Sequence, residues 1–247
     1  MIVAGPIIAA LVFVTSFVSG VFGVAGGLIL MGGLVYLLPV TQAMLVHGLA
    51  QFVSNAARVL FWRRYVAWDV LARFVAASLA CLLAFMFIRF VPSRAVVLFM
   101  LGASTVSLFL VPQRFAPKIT QPAVAYGCGV VGTALLLTSG VSGPFLDQFF
   151  VRAELDRRAT VATKAAMQAI AHLLKIGYFG VVATVEFDHG WQALLVVVPL
   201  ASIAGASLAT QVLARMTDRQ FYWWTRRIVF ALGVYYLLDA ARIAAVG

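Results

Sequence analysis

Long apolar stretches constrain this chain more than any other feature. Residues 74–90 and 194–213 are almost entirely apolar, and several other stretches approach twenty residues. A helix needs about twenty apolar residues to span the hydrocarbon core of a bilayer. Charged residues make up 11% of the 247 residues, against about 25% in soluble globular chains. The sequence therefore predicts an all-α, polytopic integral membrane protein.

Polar side chains interrupt two of these apolar stretches in the same pattern, 117 positions apart. The first set comprises His47, Gln51, Asn55 and Arg58. The second set comprises Lys164, Gln168, His172 and Lys175. At the spacing i, i+4, i+8 and i+11, the four side chains of each set fall within about 80° of one helical face. We call these two sets the polar stripes, and their cations and amides suggest a path for an anion through a membrane.

Each polar stripe follows an apolar stretch that contains a glycine motif. The first stretch, residues 2–22, is predicted to break at Gly20, Gly23, Gly26 and Gly27, and the apolar piece 28–38 that follows is too short to span a bilayer. The same order recurs around residues 140–151. We predict a first membrane repeat over residues 1–112, a linker over 113–122 and a second repeat over 123–247. Each repeat has a broken or re-entrant helical hairpin followed by three transmembrane helices, within one integrated domain.

The net charge of +10 comes from short basic clusters between the apolar stretches. This is the pattern of cytoplasmic loops, and it leaves no basic domain to bind nucleic acid. The basic clusters are Arg63/Arg64, Arg114/Lys118, Arg152/Arg157/Arg158 and Arg215/Arg219/Arg226/Arg227. Glu186, Asp188 and His189 are predicted to lie on the outer side, together with the sparse loop of Arg89 and Arg94. Each half then crosses the membrane an odd number of times, so the two halves are inverted repeats, as in many secondary transporters.

Inversion of one half predicts which stripe residues lie at the same depth. His47 and Lys175 would share the outer half of the membrane, and Arg58 and Lys164 the inner half. Gln51, Asn55, Gln168 and His172 would lie between these levels. Charged groups inside a membrane are costly and usually mark pathways or pairs. Two other interpretations remain open: Arg58 and Lys164 could reach the cytoplasmic surface, and Gln51 and Asn55 could join helices by hydrogen bonds.

The glycine motifs supply a second means of holding an anion. Gly26 and Gly27 in the first half, and Ser142 and Gly143 before Pro144 in the second, suit the start of a helix inside the membrane. The free N–H groups and the dipole at a helix start favour anions. Close packing of small residues is the alternative explanation, and it does not exclude the first.

Asp147 is the one carboxylate in the apolar part of a predicted hairpin. Its negative charge would neutralise Lys164 or Lys175, or it would carry a coupling proton. Residues 127–132 match G-x-G-x-x-G, but no strand precedes them, so helix packing explains these glycines better than a dinucleotide site. We predict no cofactor and no metal site, and we interpret Cys81 and Cys128 as buried free thiols.

Three segments carry a family resemblance. They are GVFGVAGGLILMGGLVYLLP at residues 20–39, the arginine pair before Tyr65, and ATKAAMQAIAHLLKIGYFG at residues 162–180. With them the chain resembles the sulfite exporter TauE/SafE family, also called toluene sulfonate uptake permeases. The family usually has a third consecutive glycine where this chain has Ala25, and its second glycine motif is here reduced to GVSGP. The resemblance implies a carrier of sulfite, sulfonates such as sulfoacetate or related small anions, with export as the usual assumed direction.

These observations predict a secondary anion transporter that works by alternating access between inverted repeats, and not an enzyme. Its expected partners are a small anion and the lipid bilayer, without nucleic acid, and a homo-oligomer is compatible with the sequence. The expected location is a cell membrane, as a multi-pass protein of a bacterial inner membrane. The alternatives are a structural or receptor subunit without transport activity and, less favoured, an intramembrane enzyme. The sequence leaves the substrate, direction and coupling ion open.

Overall fold

The computed structural model describes residues 4–22, 25–110, 116–182, 189–213 and 215–246. Within these ranges the chain forms ten α-helices and one 3-10 turn, Arg63–Tyr65, and no β-strand. The helices are α1 (Ala4–Phe22), α2 (Ala25–Leu37), α3 (Val40–Trp62), α4 (Trp68–Ile88), α5 (Arg94–Leu110), α6 (Pro122–Ser139), α7 (Gly143–Phe150), α8 (Arg157–Val182), α9 (His189–Leu213) and α10 (Asp218–Val246). The prediction of an all-α fold is confirmed.

Six of the described helices, α1, α4, α6, α8, α9 and α10, are long and apolar enough to cross a membrane. The apolar helices α2 and α5 are shorter. Helix α3 has 23 residues but is not among the six. The chain is a multi-pass membrane protein, as its composition predicts.

The glycine motif of the first half does not break the helices where we predicted. Helix α1 continues through Gly20 to Phe22, and α2 already includes Gly26 and Gly27, so the predicted breaks at these three glycines are wrong. Gly23 lies outside the described residues. The physical reason is packing: a Cβ atom at Gly26 would lie 2.1 Å from the Thr15 carbonyl oxygen. Gly26 therefore lets the start of α2 approach the backbone of α1.

The second half has a genuine break between α6 and α7. Gly140 ends α6 in the left-handed conformation, with φ of +82°. This conformation costs less free energy for glycine than for any other residue. The Ser139 hydroxyl accepts the Val141 N–H at 3.2 Å and so satisfies a backbone group inside the break. Helix α7 begins at Gly143 with Pro144 in its first turn, as expected at a helix start, but the Ser142 side chain makes no capping hydrogen bond.

Apart from α2, which packs mainly against α1, the described helices take their main partners from the other half. Helix α1 packs against α9 and α4 against α6; α3 packs against α8 and α5 against α10. The weaker pairs also correspond, since α3 contacts α9 while α8 contacts α4, and α2 contacts α10 while α7 contacts α5. Exchange of the two halves leaves this set of pairs unchanged.

The two helices that carry the polar stripes run antiparallel. Near one end of the pair, Lys175 of α8 contacts His47 of α3 at 2.9 Å. Near the other end, the Thr163 hydroxyl accepts the Ala67 N–H at 2.9 Å, just after α3 and its 3-10 turn. His47 and Lys175 therefore lie at one depth of the fold.

The connection between the halves is packed against the end of α7. Residues 111–115, which include Arg114 of the predicted basic clusters, lie outside the described part. Beyond them, the Ile119 N–H donates to the Phe149 carbonyl at 3.0 Å, and Lys118 forms an ion pair with Glu154. The Lys118 ammonium lowers the pKa of the Glu154 carboxyl. Glu186 and Asp188, and the side chain of His189, also lie outside the description.

The glycines at 127 and 129 allow a matched test of helix packing. A Cβ atom at Gly129 would lie 2.4 Å from the Phe74 carbonyl oxygen of α4, whereas one at Gly127 would meet nothing within 4 Å. We expect Gly129→Ala to destabilise the protein by about 1–3 kcal/mol, the usual cost of overpacking. Gly127→Ala should leave stability unchanged or slightly raised, because alanine favours a helix. Thermal unfolding in detergent measures both, and equal midpoints would contradict this account of the α4–α6 contact.

Candidate anion site

A cavity of about 240 Å³ lies between the two stripe helices. Its wall comes from α1, the start of α2, α3, the α6–α7 break with the start of α7, and α8. The lining residues are Ser19, Gly20, Gly27, His47, Gln51, Asn55, Arg58, Val141, Gly143, Pro144, Val161, Lys164, Ala165, Gln168 and His172. A water molecule takes about 30 Å³ of liquid volume, so the cavity has room for a small anion with several waters.

Most of the residues that we singled out from the sequence meet on this wall. Every stripe residue except Lys175 lines the cavity, and so do Gly27 and Gly143. Among the described residues, Gly26, Ser142 and Asp147 are not part of the wall. Gly26 faces α1, and Asp147 contacts a residue of the wall, Lys164.

One end of the cavity is closed by a hydrogen-bonded chain. The Lys175 ammonium nitrogen, fully buried, lies 2.9 Å from His47 Nδ1 and donates to the Gly140 carbonyl at 3.0 Å. His47 Nε2 lies 3.1 Å from the Gly27 carbonyl. The chain therefore connects the start of α2, α3, the end of α6 and α8. We call the Lys175–His47 contact the closing pair.

The other end of the cavity contains the two cations Arg58 and Lys164. Arg58 donates to Asn55 Oδ1 at 3.2 Å, and the Asn55 amide in turn donates to the Gln51 carbonyl at 2.8 Å. Lys164 lies 2.8 Å from the Asp147 carboxylate, and about a third of each side chain is exposed. Among the α8 residues that face the cavity or close its end, exposure falls from 40% at Val161 to 5% at His172 and 0% at Lys175. The mouth of the cavity is therefore at the Arg58 and Lys164 end.

Beside this mouth, two of the predicted basic clusters come together. Arg158, at the start of α8, donates to the Tyr65 hydroxyl at 2.9 Å, and its guanidinium lies 5.8 Å from the centre of the Trp62 ring. The hydrogen bond from Arg158 lowers the pKa of Tyr65. Arg64 lies over the same tyrosine ring at 5.1 Å. The loops that follow α3 and precede α8 therefore lie on one side of the fold.

His172 presents an unused nitrogen near the closed end. Its side chain is buried, and its Nδ1 atom has no hydrogen-bond partner among the described residues. The His172 and His47 rings are 5.5 Å apart, measured between centroids. A buried polar atom without a partner costs free energy, so water or a ligand in the cavity would stabilise this arrangement.

Sequence reasoning missed part of the wall. Ser19 and Gly20 reach it from the end of α1, and Val161 and Ala165 from the first turns of α8. The i, i+4 spacing from Val161 to Ala165 and from Lys164 to Gln168 places these residues on adjoining faces of one helix. That signal was available for Val161 and Ala165, but no repeated pattern marks Ser19 and Gly20.

The arrangement favours an anion over a cation or a metal. Arg58 and Lys164 outnumber the carboxylate of Asp147, and amide N–H donors of Gln51 and Gln168 lie along the same wall. Among the described residues, no group of three or more His, Cys, Asp or Glu side chains could hold a metal ion. The cations and amide donors of the wall suit hydrogen bonding and charge attraction to a small anion.

A comparison with known protein families gives a match over most of the chain. The model of the family described as sulfite exporter TauE/SafE matches residues 8–236. No curated protein and no solved structure matches the chain. The family consists of membrane transporters of sulfur-containing anions. Since the match spans nearly the whole chain, the protein belongs to the sulfite exporter TauE/SafE family.

Proposed function

We propose that the chain is a secondary transporter that exports sulfite or a small organosulfonate by alternating access between two inverted repeats. The observation that carries the proposal is the meeting of both polar stripes on one cavity wall. Residues from two segments 117 positions apart would have no reason to share a cavity in a purely structural subunit. Arg58 and Lys164 supply the positive charge, and amide groups supply further hydrogen bonds.

The pairing of the helices supports the inverted-repeat part of the proposal. Exchange of the halves preserves the helix pairs, and α3 and α8, which exchange with each other, run antiparallel. A two-fold axis that relates antiparallel membrane helices lies in the membrane plane, as in transporters built from inverted repeats. Rocking of one half against the other would then open the cavity to alternate sides.

The position of the mouth is compatible with export, because an exporter takes up its substrate in a conformation that is open to the cytoplasm. The cavity is open at the Arg58 and Lys164 end, beside the loops that contain Arg64 and Arg158. Basic loops of membrane proteins face the cytoplasm. The mouth would therefore accept an anion from the cytoplasmic side.

Counterflow in proteoliposomes tests the proposal. Vesicles loaded with unlabelled sulfite should accumulate labelled sulfite faster than protein-free vesicles. The panel should also contain methanesulfonate, sulfoacetate, sulfate and acetate as competitors. Competition by sulfonates but not by acetate would support a sulfur-oxyanion site. No uptake above the protein-free level for any anion of the panel would overturn the proposal.

The ion pair between Asp147 and Lys164 predicts that one mutation will strengthen substrate binding, whereas most mutations in a binding site weaken it. Asp147→Asn removes the negative charge that lies 2.8 Å from the Lys164 ammonium. The lysine is then free to attract substrate, so we expect a lower KM, by roughly two- to fivefold, since partly exposed pairs contribute about 1 kcal/mol or less. Initial uptake rates over a range of sulfite concentrations measure this.

Lys164→Gln and the double variant Asp147→Asn/Lys164→Gln are the controls. Lys164→Gln should raise KM, and Asp147→Asn should have no further effect once the lysine is absent. A higher KM for Asp147→Asn alone would contradict the pairing role and favour Asp147 as a carrier of a coupling proton.

A further inference from the structure

We propose that the closing pair, Lys175 and His47, is the proton-binding site of the transport cycle, and that an added proton opens the closed end of the cavity. This inference rests on the proposed transport function and names its coupling ion. The observation behind it is a buried contact between two basic nitrogens, with no carboxylate beside it among the described residues.

The hydrogen-bond partners define how many protons the closing pair can hold. His47 Nε2 faces a carbonyl oxygen, Gly27 O, which only accepts, so Nε2 must carry a hydrogen. In the neutral imidazole, Nδ1 then has a lone pair that accepts from Lys175 Nζ at 2.9 Å. One proton lies between Nζ and Nδ1. If a further proton from the acidic solution reaches Nδ1 through water, both nitrogens carry hydrogens toward each other. The hydrogen bond is then lost and the pair gains one positive charge.

The loss of this bond cannot be absorbed locally. Lys175 is fully buried, and a Cβ atom at Gly48, one residue after His47, would lie only 2.8 Å from Ile176 Cγ1 and 3.2 Å from Lys175 Cε. The two helices are thus in close contact around the pair. Two unpaired positive charges in such a place repel each other and lack solvation, so the arrangement is strongly unfavourable. Separation of α3 from α8 with entry of water relieves the repulsion.

The same bonds connect the closing pair to both glycine motifs. Lys175 also donates to the carbonyl of Gly140, the left-handed residue at the α6–α7 break, and His47 holds Gly27 in the first turn of α2. Separation of the pair would therefore pull on one segment in each half. This is the coupling between a local proton and a change in the whole fold that alternating access requires.

The groups around His47 contain no other described charge that would neutralise an added proton. From α8, Lys175 and His172 face it; from α2 and the α6–α7 break, only the carbonyls of Gly27 and Gly140 do. Helix α9 approaches α3 through Ser202, whose hydroxyl donates to the Ala50 carbonyl. On α7, the carboxylate of Asp147 is engaged by Lys164. His172 lines the cavity beside His47, so water in the cavity can deliver the proton past it.

A thiol behind the closing pair reports whether the closed end opens. Met44 is fully buried and lies one turn before His47, on the side away from the mouth. We would introduce Met44→Cys in a chain with Cys81→Ala and Cys128→Ala, purify it in detergent and follow its reaction with a maleimide. Acidification from about pH 8 to about pH 5.5 spans histidine titration. The labelling rate is divided by that of free cysteine at the same pH, because the reactive thiolate fraction falls in acid. We expect this normalised rate to rise at least about tenfold on acidification.

Three variants in this background test the assignment. His47→Gln keeps an amide donor and acceptor but cannot take a proton, so its labelling should not accelerate in acid. Lys175→Met replaces the buried amine with an apolar side chain of similar length, and its labelling should also not accelerate in acid. It provides a second test if His47→Gln does not fold. Arg73→Gln changes an exposed ion pair outside the cavity and should keep the acid acceleration. Acid acceleration that persists in His47→Gln and Lys175→Met, or is absent from the parent chain, would overturn the proposal.

The labelling measurement needs no substrate, so it separates the two proposals. Absence of anion uptake with a normal acid response would reject the transport function and leave the proton-sensitive pair in place. Anion uptake with no acid response would reject the proton site alone.

Discussion

Replacement of Arg58 by glutamine is expected to reduce the rate of sulfite uptake at low substrate concentration by roughly ten- to hundredfold. A hydrogen bond to a charged group contributes about 1.5–3 kcal/mol, which corresponds to this range of affinity. Arg58 lines the mouth of the cavity, and its described contact is with a neutral group, Asn55 Oδ1. Its charge is therefore available to the substrate, whereas the charge of Lys164 is shared with Asp147.

The control variants for Arg58 separate charge from geometry and from surface effects. Arg58→Lys should retain part of the activity, because charge survives while the planar donor pattern is lost. Arg73→Gln removes the same charge from an exposed i, i+4 ion pair with Asp69 and should leave uptake unchanged. Equal uptake by Arg58→Gln and the parent chain, at matched protein content, would show that Arg58 only reaches the membrane surface.

Replacement of Gly26 by alanine is expected to lower the yield of folded protein more than any other glycine substitution considered above. Its Cβ atom would lie 2.1 Å from the Thr15 carbonyl oxygen and 2.4 Å from the Ser19 nitrogen, both backbone atoms that cannot move independently. Overpacking costs about 1–3 kcal/mol and occasionally more. We expect this site to reach or exceed the upper end of that range. Size-exclusion profiles and thermal unfolding in detergent measure the loss.

The adjacent residue, Gly27, provides the matched control. A Cβ atom there would meet the Gln51 amide nitrogen at 3.3 Å, the far end of a flexible side chain that can shift. Gly27→Ala should therefore fold normally but alter the cavity wall, where both Gly27 and Gln51 lie. Its effect should appear as a changed KM. Equal stability of Gly26→Ala and Gly27→Ala would contradict the close contact between α1 and α2.

The sequence predicted the helices and the facing stripes well, because both depend on local periodicity. Twenty-residue apolar stretches identify helices in a bilayer, and the spacing of His47, Gln51, Asn55 and Arg58 identifies one face. The identical layout in the second half predicted that His47 and Lys175 lie at the same depth, and their contact agrees with this. These features follow from patterns that a single chain displays along its length.

The failures concern groups whose environment is set by distant segments. Glycine is common both at helix breaks and at close helix contacts. The amino-acid sequence alone could therefore not distinguish Gly26, which packs on α1, from Gly140, which adopts a positive φ. The direction of the Lys175 ammonium depends on the Gly140 carbonyl, which becomes available only where α6 ends. The contribution of Ser19 to the cavity requires the packing of α1 beside α2. Such details arise from tertiary contacts that no local pattern encodes.

The pairing of helices from one half with helices from the other has a consequence for biosynthesis. Helices α1, α3, α4 and α5 leave the ribosome before α6, α8, α9 and α10, which are their main partners. The earlier helices therefore enter the bilayer with their packing faces, including the polar residues of α3, still uncovered. Assembly must wait until the last helices have been synthesised. The protein therefore depends most on the insertion machinery and on membrane quality control while only its first half is in the bilayer.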